Sequence, residues 1–182
     1  MYKRIVFGLI TAFFALSVHA QLIYGLSING GGIVGTITND SAPAGNVGEY
    51  KTATVAVADT ITVSPTTGFK NITSVSLTPG DWAVSGTCNI VWSGITATVV
   101  NCGLGTTTNT MASQAGGSGI GTDPRTIEIA TFGTTLTGTK VVSTPVARVT
   151  LASTTTIYLV SGMTFSAGTA TQYGTIKAWR VR

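Results

Sequence analysis

Apolar and polar residues alternate with a period of two over most of the chain after residue 50. The longest example places Ile157, Leu159, Met163 and Phe165 on one parity within nine residues. Successive side chains of a β-strand point to opposite faces, so this period predicts half-buried strands. The abundant Thr and Val residues favour the same structure, because their branched side chains fit a pleated sheet. We therefore expect strands joined by turns, without a long amphipathic helix.

The clearest predicted strand begins at Trp82 and ends at Trp92. Its apolar residues share one parity: Trp82, Val84, Cys88, Ile90 and Trp92. Gly86 interrupts this series, and a glycine inside a strand indicates a bulge or a bend. Two tryptophans on one face are typical of anchors in a core or a subunit interface. A platform on which sugar rings stack is the alternative interpretation of the same pair.

Residues 95–102 are predicted to return as the second strand of a hairpin whose loop is 93–97. In this register Cys88 lies opposite Cys102. Opposed residues have Cα atoms about 4.5–5.5 Å apart, within reach of a disulfide, and a secreted chain favours its oxidation. We predict the Cys88–Cys102 disulfide, with two free thiols or a zinc site as alternatives. Zinc is disfavoured and no metal site is expected, because two cysteines without a histidine after position 20 do not supply the usual four ligands.

Turn residues recur at intervals of roughly ten residues between the predicted strands. Seven to ten short antiparallel strands at such spacing are typical of an all-β fold, and we predict a jelly-roll-like β-sandwich over residues 50–182. Residues 21–49 contain three consecutive glycines and a turn-rich stretch, so they are predicted to form an extended N-terminal arm. The open edges of such a sheet invite association with another chain.

The N-terminus is predicted to be a secretory signal peptide, residues 1–20. Lys3 and Arg4 precede an apolar run from Ile5 to Leu16, and the expected cleavage follows Ala20. A retained membrane anchor is the alternative, but the run is well short of the ~20 residues that cross a bilayer. No membrane insertion of the mature chain is expected, and the expected location is a virion or the extracellular space.

Few side chains of the mature chain could move a proton near neutral pH, since the only histidine, His19, lies in the predicted signal peptide. Asp81 and Glu128 are the least implausible pair of carboxylates for glycoside hydrolysis. A turn aspartate and a solvent-facing strand glutamate are the alternative, favoured interpretation. We therefore predict no enzymatic activity and no cofactor.

The basic residues are scattered, which does not match the clustered footprint of a nucleic-acid-binding protein, so no nucleic-acid partner is expected. Removing Lys3 and Arg4 leaves eight Lys and Arg residues against six Asp and Glu. Lys177, Arg180 and Arg182 do cluster at the C-terminus. They are interpreted as a solvated strand end, with contact to an anionic surface glycan as the alternative.

Residues 103–123 are unusually long and rich in Gly and Thr for a connecting segment. Connections beyond about 12–15 residues are usually functional or disordered. A flexible surface loop is the first interpretation, and a loop that contacts a target is the second. The candidate contact residues are Thr106, Thr107, Thr108, Asn109, Gln114 and Ser118.

Three stretches together carry a family resemblance. They are TNDSAPAGNVGEY at 38–50, SVSLTPGDWAVSG at 74–86, and 156–182, which begins TIYLV and ends YGTIKAWRVR. Their order and spacing resemble small bacteriophage and prophage virion proteins of the tail-fibre or head-fibre type. The resemblance covers residues 36–182 and consists of structural residues, not catalytic ones.

The resemblance implies a β-rich, jelly-roll-like domain that forms a homotrimer at an exposed position on a virion. Such a domain contacts other virion proteins and can bind a host-surface glycan. The signal peptide and the cysteine pair depart from this family pattern, because both suit an exported protein. A secreted bacterial carbohydrate-binding or adhesive module is therefore the alternative function.

Overall fold

The computed structural model of the protein describes residues 41–63, 68–111, 127–129, 135–165 and 168–182. For Thr98, for residues 127–129 and for residues 135 and 136, only the backbone is described. The predicted signal peptide, residues 21–40 of the predicted arm, and the candidate contact residues Gln114 and Ser118 lie outside these ranges. All described residues belong to one compact unit, Ser41–Arg182.

The described residues form nine strands and one short 3-10 helix, Val57–Asp59. The strands are β1 (Tyr50–Val55), β2 (Ile61–Val63), β3 (Phe69–Leu77), β4 (Gly80–Gly105), β5 (Ile127–Ile129), β6 (Thr135–Ser143), β7 (Ala147–Leu151), β8 (Thr155–Phe165) and β9 (Ala170–Arg180). Every strand pair is antiparallel. The predicted all-β, antiparallel fold class is confirmed.

Strand β4 runs through the whole sheet and belongs to two half-sheets. In the first half-sheet, residues 80–96 of β4 pair with β9 on one side and with β7 and β6 on the other, while β1 and β2 flank β9. In the second half-sheet, residues 97–105 pair with β8 and β5, while β3 flanks β8. The nine strands therefore form one strongly curled sheet.

The predicted hairpin with a loop at 93–97 is wrong, because β4 continues through these residues as one strand. Its register with β6 shifts between Trp92 and Ile95, and Gly94 has φ 64°. An extra residue at a bulge bends a strand without ending it. The two runs that the sequence pattern separates are thus the two halves of β4, which pair with other strands and not with each other.

The predicted Cys88–Cys102 disulfide is confirmed, with a Cα–Cα distance of 6.0 Å. Its position differs from the one used to predict it. Cys88 pairs in register with Gly174 of β9, whereas Cys102 pairs with Ser161 of β8. The disulfide therefore joins the two half-sheets across the core and does not link neighbouring strands.

One apolar core fills the space between the half-sheets. Along β4 from Trp82 to Trp92 the even-numbered residues are buried, and the parity of the core residues changes after the bulge, where Ile95 is buried. Trp82 and Trp92 are 0% and 5% exposed, so the prediction that they are core anchors is confirmed. Leu159 of β8 reaches across the core to Gly86: a Cβ atom there would lie 2.4 Å from Leu159 Cδ1. The β4–β9 register is unbroken at Gly86. The pairing with β9 therefore shows no bulge at this glycine, which makes room for Leu159.

Residues 41–49, the end of the predicted arm, form turns that are bonded to the last strand. Gly45 and Gly48 have φ values of 88° and 91°, which favour glycine. The Gly48 amide donates to the Arg180 carbonyl oxygen (3.0 Å), and the Arg180 amide donates to the Glu49 carbonyl oxygen (2.9 Å). These bonds extend the β1–β9 ladder to residue 48.

Candidate functional site

Arg180 closes one end of the core and holds four different segments together. Its guanidinium lies over the Trp82 ring, 4.3 Å from the ring centroid, a cation–π arrangement. Its Nε donates to Glu49 Oε2 (3.1 Å), its Nη1 to the Pro79 carbonyl oxygen (2.7 Å), and its Nη2 to Thr78 Oγ1 (2.5 Å). The Arg180 and Glu49 side chains are each 5% exposed. A buried arginine with this many acceptors has a structural role, because its charge is neutralised inside the protein.

Glu49 completes the same cluster as an ionised carboxylate. Burial by itself raises the pKa of Glu49, but the Gly45 amide, Arg180 and Lys51 lower the pKa below the ordinary value of 4.5. The Gly45 amide donates to Glu49 Oε2 at 2.8 Å, and Lys51 Nζ lies 3.6 Å from Glu49 Oε1. Glu49 is therefore charged at neutral pH and paired with two cations.

Asp81 is the centre of a second cluster, on the opposite face of β4 from Trp82. Its carboxylate accepts bonds from Arg148 and Thr150 of β7, and Arg182 Nη2 lies 3.2 Å from Asp81 Oδ2. The hydrogen bond from Arg148 lowers the pKa of Asp81 below the ordinary value of 3.8, against the opposing effect of burial. A carboxyl group held ionised in this way is poorly suited to donate a proton.

The structure does not bring the two candidate carboxylates, Asp81 and Glu128, into one strand pairing. Asp81 is in the first half-sheet, whereas the backbone of Glu128 pairs with Asn101 in the second. The interpretation of Asp81 as a turn residue is also wrong, because it lies within β4 and is 4% exposed. The interpretation of the C-terminal basic residues as a solvated strand end is wrong for Arg180, which is buried. It is confirmed for Lys177 and Arg182, which are exposed. Sequence spacing alone gave no signal for these ion pairs.

The first candidate contact residues, Thr106 to Asn109, form an exposed turn directly after β4. Asn109 has φ 51°, and the Thr110 amide donates to the Thr107 carbonyl oxygen (3.2 Å). Asn71 of β3 fixes this turn: its amide donates to Asn109 Oδ1 (2.9 Å), and the Asn109 amide donates to Asn71 Oδ1 (2.7 Å). The turn is exposed as predicted, and it is held against β3.

The outward face of the first half-sheet carries a row of aromatic, hydroxyl and cationic side chains, of which only Lys177 was a candidate from the sequence. Along β9 the outward positions are Tyr173, Thr175, Lys177 and Trp179. Their alternation with buried residues was the available signal, since it separates the two faces of the strand. We call this surface the β9 outer face, and it includes the residues in register with it on β1 and β4.

One pair of residues in register and two cross-strand hydrogen bonds define the β9 outer face. Tyr50 of β1, 43% exposed, lies in register with Trp179. The hydroxyls of Thr54 and Thr175 hydrogen bond to each other (3.0 Å), and Thr175 is in register with Thr87, whose hydroxyl bonds to that of Ser143 (3.2 Å). A row of hydroxyl groups thus crosses four strands on the same face as the aromatic pair, four residues from it along β1 and β9.

No known protein family model matches the chain, and no curated protein matches it. Within the described ranges, no group of three or more His, Cys, Asp and Glu side chains is placed to hold a metal ion. Among these same residues, no helix has the length and apolar character needed to span a membrane.

Proposed function

We propose that this protein is a non-enzymatic, surface-exposed structural domain of the virion-fibre type, able to attach to a host surface. The observation that carries the proposal is the use of its charged groups. Of the three carboxylate side chains that the structure describes, Glu49 and Asp81 are held in ion pairs and Asp59 lies exposed on the 3-10 helix. Two of the three described acidic side chains therefore serve to hold strand ends together.

The resemblance to bacteriophage fibre proteins supports the same proposal. Each of the three stretches that carry it includes described residues of the first half-sheet, in β1, β4 and β9 respectively. We also propose that the curled sheet is a jelly-roll-like β-sandwich. This proposal is supported by two half-sheets that enclose one core and are cross-linked by Cys88 and Cys102.

The proposal includes assembly as a homotrimer at an exposed position among other virion proteins. Val141 and Val146 are candidate contact residues, 56% and 51% exposed beside the strands β6 and β7. Pro145, which lies between these strands, has no backbone N–H and could not itself donate to an added strand. The exposed turn at Thr106 to Asn109 is a second candidate contact with a host surface.

A secreted carbohydrate-binding or adhesive module is the second candidate function. The disulfide favours it, because oxidising compartments are where such bonds persist. The β9 outer face favours it as well, since tyrosine and tryptophan beside hydroxyl groups are suited to contact sugars.

The deciding measurement is the solution mass of the exported protein by light scattering, with Val146→Glu as the assembly variant and Val57→Glu as the control. Val57 is 65% exposed and lies on the 3-10 helix, outside strands β6 and β7. If the fibre proposal holds, the wild-type protein and Val57→Glu should have the mass of a trimer, and Val146→Glu should have a lower mass. The protein should also be present in purified virus particles. A monomer found in the culture medium without particles would reject the fibre proposal in favour of the secreted module.

A further inference from the structure

We infer that the β9 outer face binds a linear acidic polysaccharide, with the sugar chain lying along β9. This inference rests on the proposed function, since it assumes an exposed domain that binds and does not transform its ligand. The face is solvent-accessible across β1, β9 and β4, and it carries the three chemical groups that such a ligand needs: aromatic rings, fixed hydroxyls and a free cation.

The aromatic groups mark the two ends of the face. Tyr50 and Trp179 lie side by side at one end, and Tyr173 lies six residues from Trp179 on the same strand. At ~3.4 Å per residue this separation is roughly 20 Å, long enough for several pyranose rings. Both tyrosines and Trp179 are partly exposed, unlike the core residues Trp82 and Trp92. Rings at this spacing can stack against separate sugars of one chain.

The hydroxyl groups between the aromatic residues are fixed by cross-strand bonds. Thr54 and Thr175 bond to each other at 3.0 Å, and the next pair across, Thr87 and Ser143, does so at 3.2 Å. Each hydroxyl can donate one hydrogen and accept two, so a bonded pair keeps further capacity for a ligand. Because their positions are set by the sheet, these groups lose little conformational entropy on binding.

Lys177 gives the face its preference for a negative ligand. It is exposed, it lies in register with Thr52 and Ser85, and it has no ion-pair partner among the described residues. The end of the face near Trp179 also carries Arg148 and Arg182, whose side chains are 57% and 77% exposed, and among the described carboxylate side chains only Asp81 pairs with them. The side-chain charges on and beside this face are therefore predominantly positive, which complements a carboxylated sugar chain.

A hexamer of galacturonate and a hyaluronan hexasaccharide serve as acidic probes, with maltohexaose as the neutral one. Binding is measured by isothermal titration calorimetry and by the change in tryptophan fluorescence.

The wild-type protein is expected to bind at least one acidic probe more tightly than maltohexaose. The variants Trp179→Ala and Tyr50→Ala are expected to weaken binding to that acidic probe about tenfold, as is usual when one aromatic or charged contact is lost. Lys177→Gln is expected to abolish the preference for acidic over neutral sugar.

Two matched controls separate this site from general electrostatic attraction. Lys70→Gln removes a lysine from β3, and Tyr158→Ala removes a half-buried tyrosine from the second half-sheet. Both are expected to bind like the wild-type protein. Trp179→Phe keeps an aromatic ring in case Trp179→Ala does not fold, and it is expected to retain most of the affinity.

Three results would overturn the inference. The first is a wild-type protein that binds neither acidic probe, and the second is an unchanged affinity in Lys177→Gln and Tyr50→Ala. The third is an equal loss in Lys70→Gln, which would indicate attraction by overall charge. A trimer on particles that binds no sugar would remove this inference and leave the proposed function standing. A monomer with binding that depends on Lys177 would reject the fibre proposal and keep the inference.

Discussion

The close approach of Leu159 to Gly86 gives a sharp test of how the two half-sheets pack. A methyl group on Gly86 would lie 2.4 Å from Leu159 Cδ1, and both residues are buried. Overpacking of this kind costs about 1–3 kcal/mol. Replacing glycine by alanine also stiffens the unfolded chain, which restores about 0.4–1 kcal/mol. We expect Gly86→Ala to lower the free energy of unfolding by about 1–2 kcal/mol.

The diagnostic result is the combination of Gly86→Ala with Leu159→Ala. Leu159→Ala alone leaves a cavity in the core and should cost about 2–5 kcal/mol. In the double variant the new methyl group at position 86 occupies part of that cavity. The double variant should therefore lose about 1–2 kcal/mol less free energy of unfolding than the two single variants lose in sum. Equilibrium unfolding in guanidinium chloride, without reductant, measures all four proteins by tryptophan fluorescence.

Gly174→Ala is the matched control on the neighbouring strand. A Cβ atom there would lie 2.2 Å from the Thr87 carbonyl oxygen, whereas Leu159 Cδ2 would be farther away, at 3.3 Å. Because the main obstacle is backbone, Leu159→Ala should not rescue Gly174→Ala. If the effects of Gly86→Ala and Leu159→Ala on the free energy of unfolding add to within about 0.5 kcal/mol, or if Leu159→Ala rescues both glycine variants equally, the Leu159–Gly86 contact does not limit stability.

Three further predictions address the core and the ion pairs. Replacing Cys88 and Cys102 together by alanine removes a cross-link with a sequence separation of 14, and it should cost about 3 kcal/mol in denaturant unfolding; an unchanged midpoint would contradict this. Gln172 is fully buried, and neither of its amide atoms has a hydrogen-bond partner among the described residues, so Gln172→Met should stabilise the protein by about 1 kcal/mol, whereas Gln172→Glu should destabilise it. The pKa of Glu49 is lowered on folding, so its contribution is present above the ordinary value of 4.5 and is lost as pH falls through the lower folded pKa. Glu49→Gln should therefore cost about 2 kcal/mol at pH 7 and flatten the decline of stability with acid; thermal unfolding from pH 2 to 7 measures this, and a parallel decline in wild type and variant would count against it.

The sequence pattern predicted which residues face the core much better than it predicted which strands pair. The parity of Trp82, Ile90 and Trp92 identified the buried face of β4 because a strand has a strict period of two. The same pattern carries no information on the partner of each strand. Ser93 and Gly94 resemble a turn in composition, yet they form a bulge within β4. The disulfide was predicted correctly from a wrong register, since the short sequence separation of the two cysteines favours the pair in either geometry.

The candidate site was harder to predict because its contacts join residues that are distant in the sequence. Glu49 and Arg180 are 131 residues apart, and Asp81 and Arg148 are 67 apart. Nothing local distinguishes Arg180, which is buried, from Arg182, whose side chain is 77% exposed. The parity of β9 distinguishes Arg180 from Lys177, since Arg180 belongs to the series that includes Ile176 and Ala178, whereas Arg182 shares this parity but lies beyond the end of β9. The period of the strand, and not the local charge, was therefore the usable signal.

The two faces of β9 divide the requirements of folding from those of binding. On the inner face, Ile176 and Ala178 pack in the core and Arg180 holds Glu49 against Trp82. On the outer face, Lys177 is exposed and Thr175 is partly so. Substitutions on the inner face must change core packing or leave a buried charge unpaired, so their main effect is on stability. Because successive residues of a strand point to opposite sides, outer-face residues can change without disturbing that core. A surface that contacts a variable partner can diversify on such a strand while the fold is retained.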